Sequence, residues 1–320
     1  MSNYVIRAKD HQEWLRARQD GIGSSEVATL LGVNPWQTPY QLWLAKTNRG
    51  GRIVEKESFL MKAGHYLEDA ISRFAADDAS LDIIKNSAEE FIVVNSEREY
   101  MRVSPDRYAW LSGEKHSKEN KVIIECKSTQ NKIDEEDIPK YWYCQVQYQM
   151  GVCELDRAVI AWLTQGREFG YKWLRFDKEL FGIITEEVER FWMDNVLGGA
   201  EPALVDVTDV MTKYPKSNDG VVFADEAILD AYRELKETSD EIKRLEVVKK
   251  AAEDRIKIAM GEAERLVLPA TQMTPQRTLA TWKSSEGRMK FNEKVFGEDY
   301  PDIYKDYLVK TEGSRRFLLK

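Results

Sequence analysis

Apolar and polar positions follow one another along this chain in two rhythms. Steps of three and four residues predict a helix over Asp10–Arg18 and, after a Gly-Ile-Gly turn, a short one over Ser24–Leu31 with a serine at its N-terminus. A third helix is expected after Pro39. From Glu55 to Ala79, the spacing of Phe59, Leu60, Leu67, Ile71 and Phe74 predicts a long helix with Gly64 at its middle. The rhythm then shortens. Phe91–Asn95, Tyr100–Val103 and Lys121–Cys126 are brief runs rich in β-branched and aromatic residues, separated by polar or turn-forming stretches, and they read as strands. A helix from about Pro139 to Gly151, strands over Ala158–Leu163 and Tyr171–Phe176, and a helix near Lys178–Val196 complete the series. This order predicts an α/β core with one mixed central sheet flanked by helices.

Past Gly198-Gly199 the pattern loosens, and Glu201–Asp219, with two prolines and few periodic apolar residues, reads as a connector. Ile228, Tyr232, Leu235, Ile242, Leu245, Ala252, Ile256 and Ala259 then recur over more than four heptads, interleaved with Lys, Arg and Glu. That predicts a long amphipathic helix, either packed on its own domain or serving as a coiled-coil arm or oligomer contact. The tail is strand-like at Thr278–Lys283 and Arg315–Leu319. The expected organisation is a core over residues 1–199, a connector over 200–224 and a C-terminal helical and β extension over 225–320.

Composition narrows the class. The 320 residues carry 47 Lys+Arg and 55 Asp+Glu, a formal net charge of −8, with 42% hydrophobic and 32% charged positions, as in soluble globular proteins. No stretch approaches the roughly 18 consecutive apolar residues of a membrane span, and the first residues lack the apolar segment of a secretion signal. The expectation is therefore a cytoplasmic protein with no membrane partner. Cys126, Cys144 and Cys153 are odd in number and lack Cys-x-x-Cys spacing, which argues for reduced thiols and against a disulfide framework or structural zinc. With only His11, His65 and His116 available, any chemistry should run on carboxylates. The acidic balance argues mildly against nonspecific nucleic-acid binding but leaves room for a local basic channel.

The segment Lys121–Ser128, KVIIECKS, is where charge enters a β-branched run. Alternation puts Ile123, Glu125 and Lys127 on one face and Val122, Ile124 and Cys126 on the other. A carboxylate and an ammonium on a buried strand are costly unless they are paired or bind a metal. Glu-x-Lys also occurs at Glu119–Lys121, Glu234–Lys236 and Glu241–Lys243, but those lie in a polar turn or on the long helix, where solvated charges are the ordinary reading. Nineteen residues before Glu125 stands Asp106, after Pro105, which would end regular strand pairing and release the carboxylate toward the sheet's open end.

Asp106, Glu125 and Lys127 together spell Pro-Asp…Glu-x-Lys, and here the sequence resembles the PD-(D/E)XK nucleases, most closely the phage lambda exonuclease family, also called the YqaJ viral recombinase family. The resemblance covers roughly residues 11–195 in four ordered blocks: Trp14 with Arg18 and the following GIGSSEV, then GHYLE over Gly64–Glu68, then SPD with ECK, and last YWYCQVQYQM with Gln145. It implies a restriction-endonuclease-like core. It also implies that Asp106 and Glu125, helped by the Cys126 backbone carbonyl, hold Mg2+, that Glu68 helps bind a second ion, and that Mn2+ can substitute. Hard oxygen ligands suit these ions. Lys127 would orient or deprotonate the attacking water, or stabilise the pentavalent phosphate.

By the same resemblance Arg18, Ser25, Ser104 and Gln145 line a pocket for a 5′-phosphate. Free N–H groups at a helix start near Ser25 and the bidentate fork of Arg18 both suit an anion. The Gly-Ile-Gly-Ser run lacks the third glycine of a dinucleotide fingerprint, and no Gly-x4-Gly-Lys-Ser/Thr occurs, so ATP is not implied. Tryptophans such as Trp110, Trp142 and Trp162 fit core positions better than base-stacking ones. The resulting expectation is a magnesium-dependent 5′-to-3′ exonuclease on double-stranded DNA ends, releasing 5′-mononucleotides and leaving 3′ single-stranded tails for phage-type recombination. The resemblance adds a homotrimer, a single-strand annealing recombinase as partner, and a phage or prophage protein in the bacterial cytoplasm. Two rivals share the same residues: a PD-(D/E)XK endonuclease, and a non-enzymatic DNA-binding or assembly protein.

Overall fold

In the computed structural model, residues 3–47, 59–84, 91–311 and 313–320 are described. They fall into two units, Met1–Lys213 and Tyr214–Lys320. In chain order the first unit contains β1 (Tyr4–Arg7), α1 (His11–Gln19), α2 (Val27–Leu30), α3 (Pro39–Lys46), α4 (Phe59–Asp78), β2 (Leu81–Ile83), β3 (Phe91–Val94), β4 (Arg102–Val103) and β5 (Arg107–Leu111). It continues with β6 (Lys121–Thr129), α5 (Lys140–Cys153), β7 (Arg157–Thr164), β8 (Glu168–Arg175), α6 (Lys178–Arg190) and α7 (Val207–Lys213). A π-helical stretch, Phe191–Leu197, prolongs α6. The part of the expected α4 before Phe59 lies outside the described residues.

The β-branched run Val122–Ile124 makes β6 the middle strand of a five-stranded sheet, ordered β2-β5-β6-β7-β8. β6 and β7 are parallel and the other pairs antiparallel, so the sheet is mixed. A parallel pair needs a crossover, which α5 supplies. The alternation read from the sequence is realised. Ile123 packs in one apolar cluster with Val146 and Met150 of α5. Val122, Ile124 and Cys126 pack in the other with Ile71, Ala75 and Ala76 of α4. Each fully buried aliphatic side chain of this kind contributes about 1.5–3 kcal/mol. Trp142 and Trp162 are buried as expected, whereas Trp110 is half-buried and stacks on His116 at 4.8 Å.

The expectation of a single sheet needs correction. β3 and β4 belong to a separate antiparallel sheet ordered β1-β3-β4, with Tyr4–Arg7 as its outer strand. Pro105 has no N–H to continue a ladder, so β4 ends and the chain re-enters pairing as β5 in the central sheet. Asp106 therefore precedes a strand of the central sheet instead of ending one. α2 is also shorter than expected, because the Glu26 side chain bonds back to the Gly23 N–H at 2.7 Å and keeps Ser24 and Ser25 in a turn. α3 starts as foreseen, with Pro39 in its first turn and a reciprocal capping pair between Thr38 and Gln41.

The stretch read as a connector carries α7, whose Asp209 is fully buried. Its carboxylate accepts from the Thr38 hydroxyl at 2.6 Å and from the Val205 N–H at 3.0 Å. An apolar count misses such a helix because its anchor is a satisfied polar residue.

The second unit contains α8 (Glu226–Met260), β9 (Arg265–Leu268), β10 (Arg277–Thr281), α9 (Glu293–Asp299) and α10 (Pro301–Asp306). Asp225 caps α8 through the Ile228 N–H at 2.9 Å, and Gly261, at φ +55°, ends it. Ion pairs one turn apart, Arg233–Asp230, Lys243–Asp240 and Arg244–Glu241, lie along its surface. Ile228, Leu235, Ile242 and Leu245 are exposed. β9 and β10 form an antiparallel hairpin with an irregularity between Thr278 and Ala280. Arg315–Leu319 is not a strand. The end of the chain is instead tied by its Lys320 carbonyl to the Tyr232 hydroxyl at 2.9 Å.

Candidate active site

Strand alternation aims Glu125 and Lys127 at α5, where Gln145 and Gln149, four residues apart, share one helix face. Glu125 is 2% exposed. Its Oε1 accepts from the Lys127 ammonium at 2.5 Å and from the Gln145 amide, and its Oε2 accepts from the Gln149 amide at 2.8 Å. The Gln145 oxygen in turn accepts from Lys127 at 3.0 Å. Asp106 follows Pro105 one step beyond the last antiparallel pair, Arg107 with Ile124, which brings it across from Glu125. Its Oδ2 accepts the Cys126 N–H at 2.7 Å.

Glu68 arrives from α4. The Cys126 thiol donates to its backbone carbonyl at 3.6 Å, and its carboxylate meets His65 Nδ1 at 2.9 Å and the Arg107 guanidinium at 3.7 Å. Burial, then repulsion from Glu125, hold the Asp106 carboxyl well above the usual carboxylate range, against the attraction of Lys127. Burial works against the Lys127 ammonium, but Glu125 and then Asp106 outweigh it, and its pKa is raised.

A cavity of about 620 Å³ opens beside these groups, lined among others by Glu68, Asp106, Arg107, Gln145, Ser104, Arg102, Arg18, Ser24 and Ser25. Two neighbours fix Arg18. Its guanidinium lies 4.7 Å from the centre of the Trp14 ring and donates to Ser25 Oγ at 3.2 Å. The loop it faces is pinned by glycine. A side chain at Gly21 would meet the Tyr100 carbonyl at 2.5 Å, and this approach allows the Ile22 N–H to bond that carbonyl and the Arg102 N–H to bond Ile22. Because α2 has only four residues, the positive character of this wall comes from Arg18 and Arg102 more than from a helix dipole. The Ser104 hydroxyl donates to the Phe91 carbonyl, so that proton is committed to the backbone and the oxygen faces the cavity only as an acceptor.

The structure thus gathers all eight side chains singled out from the sequence. Asp106, Glu68, Arg18, Ser25, Ser104 and Gln145 line one cavity, and Glu125 and Lys127 bond Gln145 at its wall. Sequence reasoning missed four others. Arg107 reaches Glu68, and Gln149 holds Glu125. Arg102, nearly buried, binds the Ala17 carbonyl at the end of α1. Lys46 donates to the Arg18 carbonyl at 3.1 Å and pairs with Glu26 at 2.9 Å. Of these only Gln149 left a signal, four residues after Gln145 on the same helix.

A divalent cation suits this donor set. Asp106 is repelled by both Glu125 and Glu68 in a desolvated spot, a strain that positive charge relieves. Among the described residues no three His, Cys, Asp or Glu side chains form a ready-made cage. A cation held through one or two carboxylates keeps waters or phosphate oxygens for the rest.

A mixed sheet with helices on both faces, and a Pro-Asp just before β5 meeting the Glu-x-Lys of the adjacent strand β6, is a PD-(D/E)XK-type core. Residues 13–156 match the family model of the YqaJ-like viral recombinase domain. The chain is also 29% identical to the uncharacterized protein YqaJ of Bacillus subtilis (strain 168), over 96% of this chain and 93% of that protein. Over residues 13–156 it is therefore similar to the YqaJ-like viral recombinase domain. Among solved structures it is similar to an alkaline exonuclease (LHK-Exo) from Laribacter hongkongensis, at 14% identity and a TM-score of 0.42, covering 59% of this chain and 93% of that one. It is likewise similar to a phage related exonuclease from Haemophilus somnus 129PT, at 15% identity and a TM-score of 0.36, covering 56% and 96%. Among the described residues no helix is long and apolar enough to cross a membrane.

Proposed function

We propose that this chain is a divalent-cation-dependent deoxyribonuclease that enters at ends of double-stranded DNA, releases 5′-mononucleotides in the 5′-to-3′ direction and leaves a 3′ single-stranded tail. The observation that carries this reading is one cavity with two chemistries on its walls: the carboxylates Asp106 and Glu68 beside Lys127-bonded Gln145, and the anion-seeking Arg18 with Ser25. Phosphodiester hydrolysis needs positive charge at the reacting phosphate, and selection of an end needs a second place for the terminal phosphate.

In this reading Asp106, Glu125 and the Cys126 carbonyl hold Mg2+ or Mn2+, with Glu68 serving a second ion. When bound, such ions supply charge stabilisation at the attacking and leaving oxygens of the phosphodiester. Glu125 and Gln145 hold the Lys127 ammonium in place, where it stabilises the negative charge that grows on the phosphate or orients the attacking water. Arg18 offers its fork to the 5′-phosphate, the Trp14 ring keeps that fork from folding away, and Ser25 adds a short polar contact. The similarity of residues 13–156 to a viral recombinase domain supports a place in recombination. We extend it to a homotrimer around the duplex, an annealing recombinase that takes up the 3′ tail, and action without ATP in the cytoplasm of a bacterial host.

Linear duplex compared with covalently closed duplex of the same sequence tests the requirement for an end. Degradation of the linear form alone is expected. Nicking of the closed form at a similar rate would replace this reading with that of an endonuclease.

A further inference from the structure

We propose that Gln149 is a positioning residue that ties the Glu125 carboxylate to Ser24, so that one buried amide sets both the reacting carboxylate and a hydroxyl on the anion-binding wall. Its catalytic consequence rests on the nuclease reading above; the link itself stands on geometry. Gln149 is fully buried in the middle of α5. Its Nε2 donates to Glu125 Oε2 at 2.8 Å and to Ser24 Oγ at 3.3 Å. An amide nitrogen has two hydrogens, and both are used.

The other end of the amide fixes its orientation. Among the described residues Gln149 Oε1 is buried and has no hydrogen-bond partner. Turning the amide over would give that oxygen the Ser24 hydroxyl, but would set it against the Glu125 carboxylate, acceptor on acceptor. Glu125 therefore decides which way the amide faces, and the amide makes Ser24 Oγ an acceptor. The Ser24 proton is left to point elsewhere. Ser24 is itself buried and lines the cavity next to Ser25 and Arg18, so an anion there is the partner within reach. Gln145 does a different job, since it lines the cavity and holds Lys127.

The experiment uses the full chain. Gln149→Met keeps length and volume but makes no hydrogen bond, Ser24→Ala cuts the far end of the link alone, and the double variant closes a cycle. Calorimetry reads the binding of inorganic phosphate and of Mn2+, separately and together, while kcat and KM are read on duplexes with and without a 5′-phosphate. Ser24→Ala is expected to weaken phosphate about fivefold with Mn2+ binding unchanged. Gln149→Met is expected to weaken both, to lower kcat about tenfold, and to reduce the preference for phosphorylated ends. Ser24→Ala should then add less than about twofold on the Gln149→Met background.

Full additivity of the two substitutions, or phosphate binding that Gln149→Met leaves intact, overturns the link. Should Gln149→Met fail to fold, Gln149→Asn, which keeps an amide in the core but cannot span both partners, is expected to reproduce the phosphate loss of Ser24→Ala, and normal phosphate binding in it is equally fatal. If the binding cycle couples but the wild-type chain digests no DNA, the nuclease reading falls and the link stands. If DNA is digested but the cycle is additive, the link falls alone.

Discussion

Replacing Gly151 by alanine tests how tightly α5, the helix that holds Glu125 and Lys127, is set against α6. A Cβ on Gly151 would come within 2.1 Å of Phe181 Cε2, 2.2 Å of Cδ2 and 2.5 Å of Cζ, so a whole ring edge must move. That ring is itself confined, 5.5 Å from the Phe176 centroid and 6.4 Å from that of Tyr148. Two effects oppose each other. Alanine in a helix interior gains roughly 0.5–1 kcal/mol over glycine, whereas forcing a methyl into a packed contact costs about 1–3 kcal/mol. With three ring atoms inside 3 Å the overlap wins, and a net loss of about 1–2 kcal/mol is expected.

Urea titration followed by tryptophan fluorescence measures it, since eight of the nine tryptophans lie in the first unit. Phe181→Ala on its own opens a gap and also destabilises, but in the double variant the new methyl fills part of it. The pair should therefore cost about 1 kcal/mol or more less than the sum of the singles. A Gly151→Ala chain more stable than wild type, by the helix-propensity gain alone, would refute the claim that this contact fixes α5.

Further outcomes follow from the site. Lys127→Ala should lower kcat by about 10²–10³ or more while duplex binding persists, checked by single-turnover cleavage beside a binding titration. Arg18→Ala should reduce the preference for 5′-phosphorylated ends about tenfold, and Arg18→Lys should restore little of it because an ammonium lacks the bidentate fork; the ratio of kcat/KM on the two ends reads both. Burial pushes the Cys153 thiol from 9.0 up to about 11. A folded value above the unfolded one contributes stability below pH 9 that is lost as pH rises through about 11, so Cys153→Ala should flatten the alkaline fall of thermal stability.

The middle of the fold was legible in the sequence because its signals are local. The run VIIECK alternates faces by geometry alone, and the structure puts Ile123 with α5 and Val122, Ile124 and Cys126 with α4. Pro39 and Thr38 marked the start of α3 for the same reason. What stayed hidden depends on partners distant in the chain. Tyr4–Arg7 becomes a strand only by pairing with Phe91–Val94, and Arg107–Leu111 only by pairing with β6. The site was legible where a charge interrupts an apolar run, at Glu125 and Lys127, or follows a proline, at Asp106. Arg102 and Lys46 act by reaching backbone carbonyls of α1, and nothing in their neighbours along the chain announces such a contact.

On the reading proposed above, Asp106, Glu125 and Lys127 form a cation-dependent phosphodiester-cleaving centre fed by a DNA end. Its most direct test is release of nucleotide from linear duplex labelled at the 5′-phosphate, with Mg2+ and with chelator. The prediction is labelled 5′-mononucleotide appearing only with Mg2+ and vanishing in Asp106→Ala. Label that stays on the duplex with Mg2+ present, or release that Asp106→Ala leaves unchanged, would contradict it.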